Sequence, residues 1–153
     1  MAVKILVPID GSEQSWAALE HACTVFADAD VTALHVIDPM ETHYGEGQLI
    51  HTQEEYERME ADARELLDRA ERHAEEEGVE LSTALGTSRR PAREIVDYVE
   101  AHDVDHVVMG SHGRSGISRV LLGSVAEAVV RRSPAPVTVI RTMPDVPSED
   151  RER

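Results

Sequence analysis

The chain has 153 residues, with 30 Asp and Glu against 15 Lys and Arg and a formal net charge of −15. This length fits one ordinary domain, and the acidic excess argues against nucleic acid as the main partner, because phosphate backbones attract basic surfaces. Lys4 is the only lysine. Arginine in place of lysine beside many carboxylates is typical of halophilic proteins in a salt-rich cytosol, although an ordinary acidic domain is the alternative.

The sequence also limits location and redox chemistry. No run approaches the roughly 18 apolar residues of a membrane span, and MAVKILVPIDG enters a strand pattern without a basic region and cleavage site. We therefore expect a cytoplasmic protein with no membrane partner. Cys23 lies among Trp16, Leu19 and Phe26, so we expect a small buried hydrophobic residue rather than a nucleophile.

The first half of the chain alternates between strand and helix patterns. Residues 3–9 are apolar and β-branched, which predicts a buried strand, and Asp10-Gly11-Ser12 is typical of a turn and a helix start. Apolar residues from Trp16 to Phe26, spaced by three and four, predict the first helix. Residues 31–37 predict a second strand, and residues 38–52 a loop long enough to lie over a ligand.

The second half continues the alternation. An apolar stripe over residues 56–74 predicts a long helix that stops at Gly78, and residues 79–86 and 105–109 predict strands three and four. Pro91 suits the first turn of the helix between them. Ser124 and Glu127 have capping-box spacing, which predicts a helix from 125 to about 132. Residues 136–141 predict the last strand, and the charged residues 142–153 a disordered tail.

Strands that alternate with helices indicate an α/β domain. Right-handed crossovers then give a mostly parallel five-stranded sheet with helices on both faces, over residues 1–141. Ligands of such sheets bind beyond the carboxyl ends of the strands. Asp10, Val36 and the pair Met109-Gly110 follow or end three of the strands, so we expect them to border one crevice.

Glycines cluster after strand four. Gly110 is followed by Gly113 and, after nine intervening residues, by Gly123-Ser124. Glycines let backbone amides approach a charged ligand, and a helix N-terminus offers unpaired amides to the same anion. The pattern therefore predicts a phosphate-binding loop, with turn glycines and a helix cap as the alternative. His112 and Arg114 lie within the loop, where they either contact phosphate or face solvent.

These segments resemble the universal stress protein family, specifically its ATP-binding branch. The resemblance rests on VPIDGSEQS, on LHVID at residues 34–38, and on the glycine pattern from Gly110 to Ser124. It covers residues 2–141 in order and spacing. It implies a Rossmann-like, adenine nucleotide alpha hydrolase-like fold with strand order 3-2-1-4-5.

The resemblance also implies roles for individual residues. Asp10 resembles the family aspartate near the ribose and the metal-bound phosphates, so Mg²⁺ or Mn²⁺ is expected with ATP, or AMP in its place. Val36 resembles the residue whose backbone meets adenine. The positions that match the segments around the ribose and phosphates are Met109, Gly110, Gly113, Gly123, Ser124 and Val125. His35, His43 and His51 lack the clustered spacing of a metal site, and we interpret them as incidental.

No nucleophile or general base accompanies Asp10, and no GxxxxGK[ST] or GxSxG motif is present. The sequence therefore favours a nucleotide-dependent stress-response or regulatory protein with at most slow ATP hydrolysis. The alternatives are an adenine-nucleotide-processing enzyme, ATPase or adenylate-forming, and a scaffold with an empty pocket. The resemblance implies a homodimer through the last strand, including Val137 and Val139, whose apolar edge invites pairing.

Overall fold

The computed structural model describes residues 2–39, 52–112 and 122–141. Strands and helices alternate along them. The strands are β1 (Lys4–Pro8), β2 (Asp30–Ile37), β3 (Leu81–Thr87), β4 (His106–Gly110) and β5 (Val137–Ile140). The helices are α1 (Glu13–Val25), α2 (Gln53–Glu76), α3 (Pro91–Ala101) and α4 (Ser124–Arg132). The tail predicted at 142–153 and all but the ends of the loop predicted at 38–52 lie outside the described residues.

The strands form one parallel sheet with the order β3-β2-β1-β4-β5. This confirms the predicted parallel sheet and the order that the resemblance implies. The order reverses between β1 and β4, which is the topological switch point of such sheets. We call the two ends of the sheet the amino end, where the strands begin, and the carboxyl end, where they stop.

The sheet separates two hydrophobic cores. Ile5 and Val7 of β1 pack with α1 and α2, whereas Leu6 packs with α3 and α4. Burial on both faces explains why Ile5, Leu6 and Val7 form a continuous apolar run rather than an alternating one. Within the described ranges, no helix combines the length and the hydropathy needed to cross a membrane.

Local signals set the helix ends on the α1 and α2 side of the sheet. Ser12 is the N-cap of α1, and its Oγ accepts the N–H of Ser15 at 3.2 Å. The helix α2 ends before Gly78, whose φ of 78° suits glycine, as predicted. Cys23 is buried with 2% exposure, and burial raises the pKa of its thiol. The prediction that Cys23 is buried is therefore confirmed.

The observed strand ends differ from the sequence prediction by one or two residues, and the differences at the start of β3 and at the start of α4 have a clear structural reason. The third strand begins at Leu81 rather than at residue 79, because Val79 N–H still bonds Ala74 O at 2.9 Å in the turn that ends α2. The capping box predicted at Ser124 is wrong. Gly123 is the N-cap of α4, its carbonyl accepts Glu127 N–H at 2.9 Å, and within the described residues no side chain caps the helix. Ser124 is therefore the first helical residue.

Candidate functional site

The ladder between β1 and β4 stops early at the carboxyl end of the sheet. β1 pairs with β2 over five positions but with β4 over two. Ile9 N–H donates to Leu34 O of β2 at 2.8 Å, and successive residues of a strand direct their backbone groups to alternate sides, so Pro8 is directed to β4. Proline has no N–H to donate. The pairing therefore ends at the switch point, where a ligand is expected.

Asp10 lies in the turn after β1. Its Oδ1 accepts the N–H of Ser12 at 2.9 Å, which is an Asx turn, and Gly11 has a φ of 86°, which glycine adopts without strain. Asp10 is half-buried. The turn therefore fixes the direction of a carboxylate beside the end of β1, as both a turn residue and a ligand-binding residue require.

Val36 is half-buried near the end of β2, where the sequence placed it. Its side chain packs against the α3 and α4 core. Leu34 O accepts from Ile9 on the β1 side, and Ile37 O accepts from Ser88 on the β3 side. Because the sides alternate, the backbone groups of Val36 are directed to the β1 side. The ladder between β1 and β2 ends at the Pro8–Leu34 pair, so these groups lie beyond it.

Gly110 ends β4 against the first turn of α1. A Cβ on Gly110 would lie 2.7 Å from Gln14 Cβ and 2.9 Å from the Gln14 carbonyl carbon. Such distances are not tolerated, so the close packing of α1 on β4 by itself requires glycine here. The glycine pattern predicts a ligand-binding or a turn role for Gly110, and its contact with Gln14 supplies a packing reason. Met109, before it, is buried in the α3 and α4 core.

The start of α4 is tied to the end of β4. Gly123 N–H donates to Ser111 O at 2.7 Å, and Ser111 N–H donates to Ile140 O at 2.8 Å. Ser124 is exposed and Val125 is half-buried. The start of α4 has no side-chain cap from the part of the chain that the structure describes, and the first amides of a helix carry a partial positive charge that favours an anion.

His112 connects these segments. Its carbonyl oxygen lies 3.5 Å from Ser12 Oγ, and its Nδ1 lies 3.1 Å from Ser111 Oγ. The ring Nε2 is buried and has no hydrogen-bond partner in the part of the chain that the structure describes. A buried polar atom without a partner costs about 1–3 kcal/mol. The sequence alone could not show that this ring nitrogen is buried.

The structure thus brings most of the predicted site residues to one end of the sheet. Those described are Asp10, Val36, Met109, Gly110, Gly123, Ser124 and Val125. Gly113 and Arg114 lie outside the described residues. Sequence reasoning missed His35, whose Nδ1 lies 2.7 Å from Ile9 O. A lone histidine in a strand gives no spacing signal, and only the register of β1 against β2 reveals its contact.

The sequence profile of the universal stress protein family matches residues 1–141. The chain belongs to this family. Universal stress protein MJ0531 of Methanocaldococcus jannaschii is 37% identical over 147 residues, which cover 90% of this chain and 81% of that protein. The solved structure of MJ0577, from the same organism, has 31% identity and a TM-score of 0.78, and the match covers 95% of this chain and 99% of MJ0577.

Solved structures at lower identity share the fold. The universal stress protein of Archaeoglobus fulgidus in complex with dAMP has 24% identity and a TM-score of 0.65, over 91% of this chain and 98% of that one. A universal stress protein in complex with cAMP has 23% identity, and one from Arabidopsis thaliana with AMP bound has 20%; both have a TM-score of 0.67. These likenesses agree with the Rossmann-like α/β fold expected from the sequence.

Proposed function

We propose that this universal stress protein binds ATP at the carboxyl end of its sheet and acts as a nucleotide-dependent regulatory protein of the stress response. One observation carries the proposal. Among the described residues, the Val36 backbone groups beyond the β1 ladder and the start of α4, which has no side-chain cap, lie at the same end of the sheet, at the switch point. The dAMP, cAMP and AMP complexes of proteins with this fold support an adenine nucleotide.

In this proposal, different residues contact the adenine, the ribose and the phosphates. The backbone of Val36 meets adenine, and Met109 and Gly110 border the ribose. The amides of Gly123, Ser124 and Val125, with the Ser124 hydroxyl, hold the phosphates, because a helix start favours anions. Gly113 and Arg114 complete the phosphate loop in the sequence-based hypothesis.

Asp10 is the proposed metal ligand. Mg²⁺ binds proteins through one or two carboxylates together with phosphate oxygens and water, and Mn²⁺ accepts similar oxygen ligands. The Asx turn holds the Asp10 carboxylate in one direction beside the end of β1, so the residue fits this role. A bound cation would offset the charge of the triphosphate in a chain with a net charge of −15.

Mass spectrometry of the nucleotide released by denaturing the purified protein tests the proposal. Bound ATP, or ATP that binds when added to nucleotide-free protein, supports it. A processed nucleotide product overturns it in favour of the adenine-nucleotide-processing enzyme. A protein that carries no nucleotide and binds no added ATP overturns both and favours the scaffold.

We also propose a homodimer through β5. Val107 N–H donates to Pro136 O and Ser111 N–H to Ile140 O, so the backbone groups of Thr138 face β4 and those of Val139 face outward. Val139→Pro should therefore remove an outward donor and give a monomer by light scattering. In contrast, Thr138→Pro should break the ladder to β4 and unfold the edge. A dimer that persists in folded Val139→Pro would contradict the proposal.

A further inference from the structure

His35 makes a hydrogen bond to the backbone carbonyl of the residue that follows β1. Its Nδ1 lies 2.7 Å from Ile9 O. A carbonyl oxygen only accepts hydrogen bonds, so Nδ1 carries the proton and donates it. Both residues belong to the α1 and α2 side of the sheet, because Ile9 lies in that core and His35 follows the alternation of Val31 and Ala33.

This contact replaces a bond of the parallel ladder. Ile9 N–H donates to Leu34 O, and in a regular parallel pair the following bond runs from Val36 N–H to Ile9 O. The ladder instead stops at the Pro8–Leu34 pair. The imidazole of His35 therefore occupies the acceptor that Val36 N–H would otherwise use.

We propose, on the basis of the function proposed above, that His35 is a positioning residue that keeps the Val36 backbone free for the nucleobase. The Val36 N–H and C=O lie beyond the end of the ladder between β1 and β2, and they have no backbone partner among the described residues. One donor beside one acceptor matches an edge of adenine, which presents a ring nitrogen acceptor beside the exocyclic amino donor. His35 acts through Ile9 and does not contact the base.

The physical reason is a competition for one acceptor. Ile9 is buried, with 3% exposure, and a buried carbonyl without a donor is costly. When His35 supplies the donor, the carbonyl is satisfied and Val36 N–H stays open. When residue 35 cannot donate, Val36 N–H is the nearest backbone donor in register, so the ladder extends by one bond and the base loses its contact.

Two substitutions distinguish the loss of the hydrogen-bond donor from the loss of the imidazole ring. His35→Leu removes the donor, whereas His35→Asn keeps an amide nitrogen attached to Cγ, where Nδ1 stands. In the nucleotide-free protein, hydrogen exchange followed by NMR should show a rapidly exchanging Val36 amide in the wild type and in His35→Asn. The same amide should be protected at least about tenfold in His35→Leu, because a hydrogen-bonded amide must open before it exchanges.

Calorimetric titrations provide the second readout. His35→Leu should bind ATP about tenfold more weakly, which corresponds to one lost hydrogen bond of about 1.4 kcal/mol. Its affinity for inorganic triphosphate, which has no base, should be unchanged, and His35→Asn should bind ATP within about threefold of the wild type. His106→Leu is the matched control, because His106 Nε2 and Thr138 Oγ1 share a comparable hydrogen bond of 2.6 Å and His106 lies at the amino end of the sheet. It should bind ATP as the wild type does.

The two measurements test the role of His35 and the proposed function separately. A protected Val36 amide in the nucleotide-free wild type, or equal exchange in wild type and His35→Leu, overturns the role of His35 even if ATP binds. Equal weakening by His35→Asn and His35→Leu also overturns it. A wild type that binds no ATP overturns the proposed function, whereas the exchange pattern still reports whether His35 controls the Val36 amide.

Discussion

The two ends of the sheet differ in the hydrogen bonding of their backbone groups. At the amino end, Lys4 N–H donates to Asp105 Oδ2 and Asp105 N–H donates to Lys4 O, both at 2.8 Å. Lys4 Nζ also bonds His102 O at 3.2 Å. At the carboxyl end, Val36 lies beyond the ladder between β1 and β2, and no side chain of the described residues caps α4. Buried backbone groups need hydrogen-bond partners, and in the proposed function a bound nucleotide supplies them at the carboxyl end.

The largest expected effect tests the packing that builds the carboxyl end. Gly110→Ala should lower the free energy of unfolding by about 3 kcal/mol, because its Cβ meets the backbone of α1 at Gln14. Gly86→Ala is the matched control. Its Cβ would meet the end of the Glu94 side chain at 3.1 Å, which can move, so the loss should stay below about 1 kcal/mol. Denaturant unfolding measures both, and equal losses would contradict the packing account.

The next effect separates ligand binding from turn formation. Asp10→Asn keeps an oxygen for the Ser12 N–H but removes the charge. We expect ATP with Mg²⁺ to bind about tenfold more weakly, or about 1.4 kcal/mol, with thermal unfolding close to wild type. Calorimetric titration with and without Mg²⁺ measures the change. An unchanged affinity for ATP with Mg²⁺ would remove Asp10 from the metal site.

A substitution at the amino end should lower stability and leave ATP affinity unchanged. Asp105→Ala removes the acceptor of Lys4 N–H, so the free energy of unfolding should fall by about 1 kcal/mol. ATP affinity should remain as in the wild type, because this contact lies at the other end of the sheet. A loss of affinity without a loss of stability would reverse the roles assigned to the two ends.

The smallest effect concerns the start of α4. Ser124→Ala should change the free energy of unfolding by less than about 0.5 kcal/mol, because Gly123 is the N-cap and Ser124 caps nothing. ATP affinity should fall about threefold, or about 0.7 kcal/mol, through the lost hydroxyl. Chemical denaturation and titration of one preparation compare the two. A destabilisation of 1 kcal/mol or more would restore the capping role predicted from the sequence.

Much of the fold could be predicted because its signals are local. The run at residues 3–9, the Ser12 cap and the stop at Gly78 each depend on neighbouring residues. The cap of α4 was misplaced because Gly123 and Ser124 are both acceptable N-caps. Here the choice depends on Gly123 N–H bonding Ser111 O, a tertiary contact that no helix pattern contains.

The site could be predicted as a set of positions but not as a mechanism. The switch-point rule located Asp10 and Val36 from their places after strands. The packing reason for Gly110 depends on Gln14, which is distant in sequence. His35 was interpreted as incidental because its significance comes from the register that places it beside Ile9, and register is a property of the assembled sheet.

An NMR titration of the protein with ATP and Mg²⁺ tests the central claim most directly, because it compares the two ends of the sheet in one experiment. The account predicts that the amide signals of Val36, Ser124 and Val125 shift in proportion to the bound fraction, while those of Lys4 and Asp105 remain in place. Shifts confined to the amino end, or no shifts at saturating ATP, would contradict it.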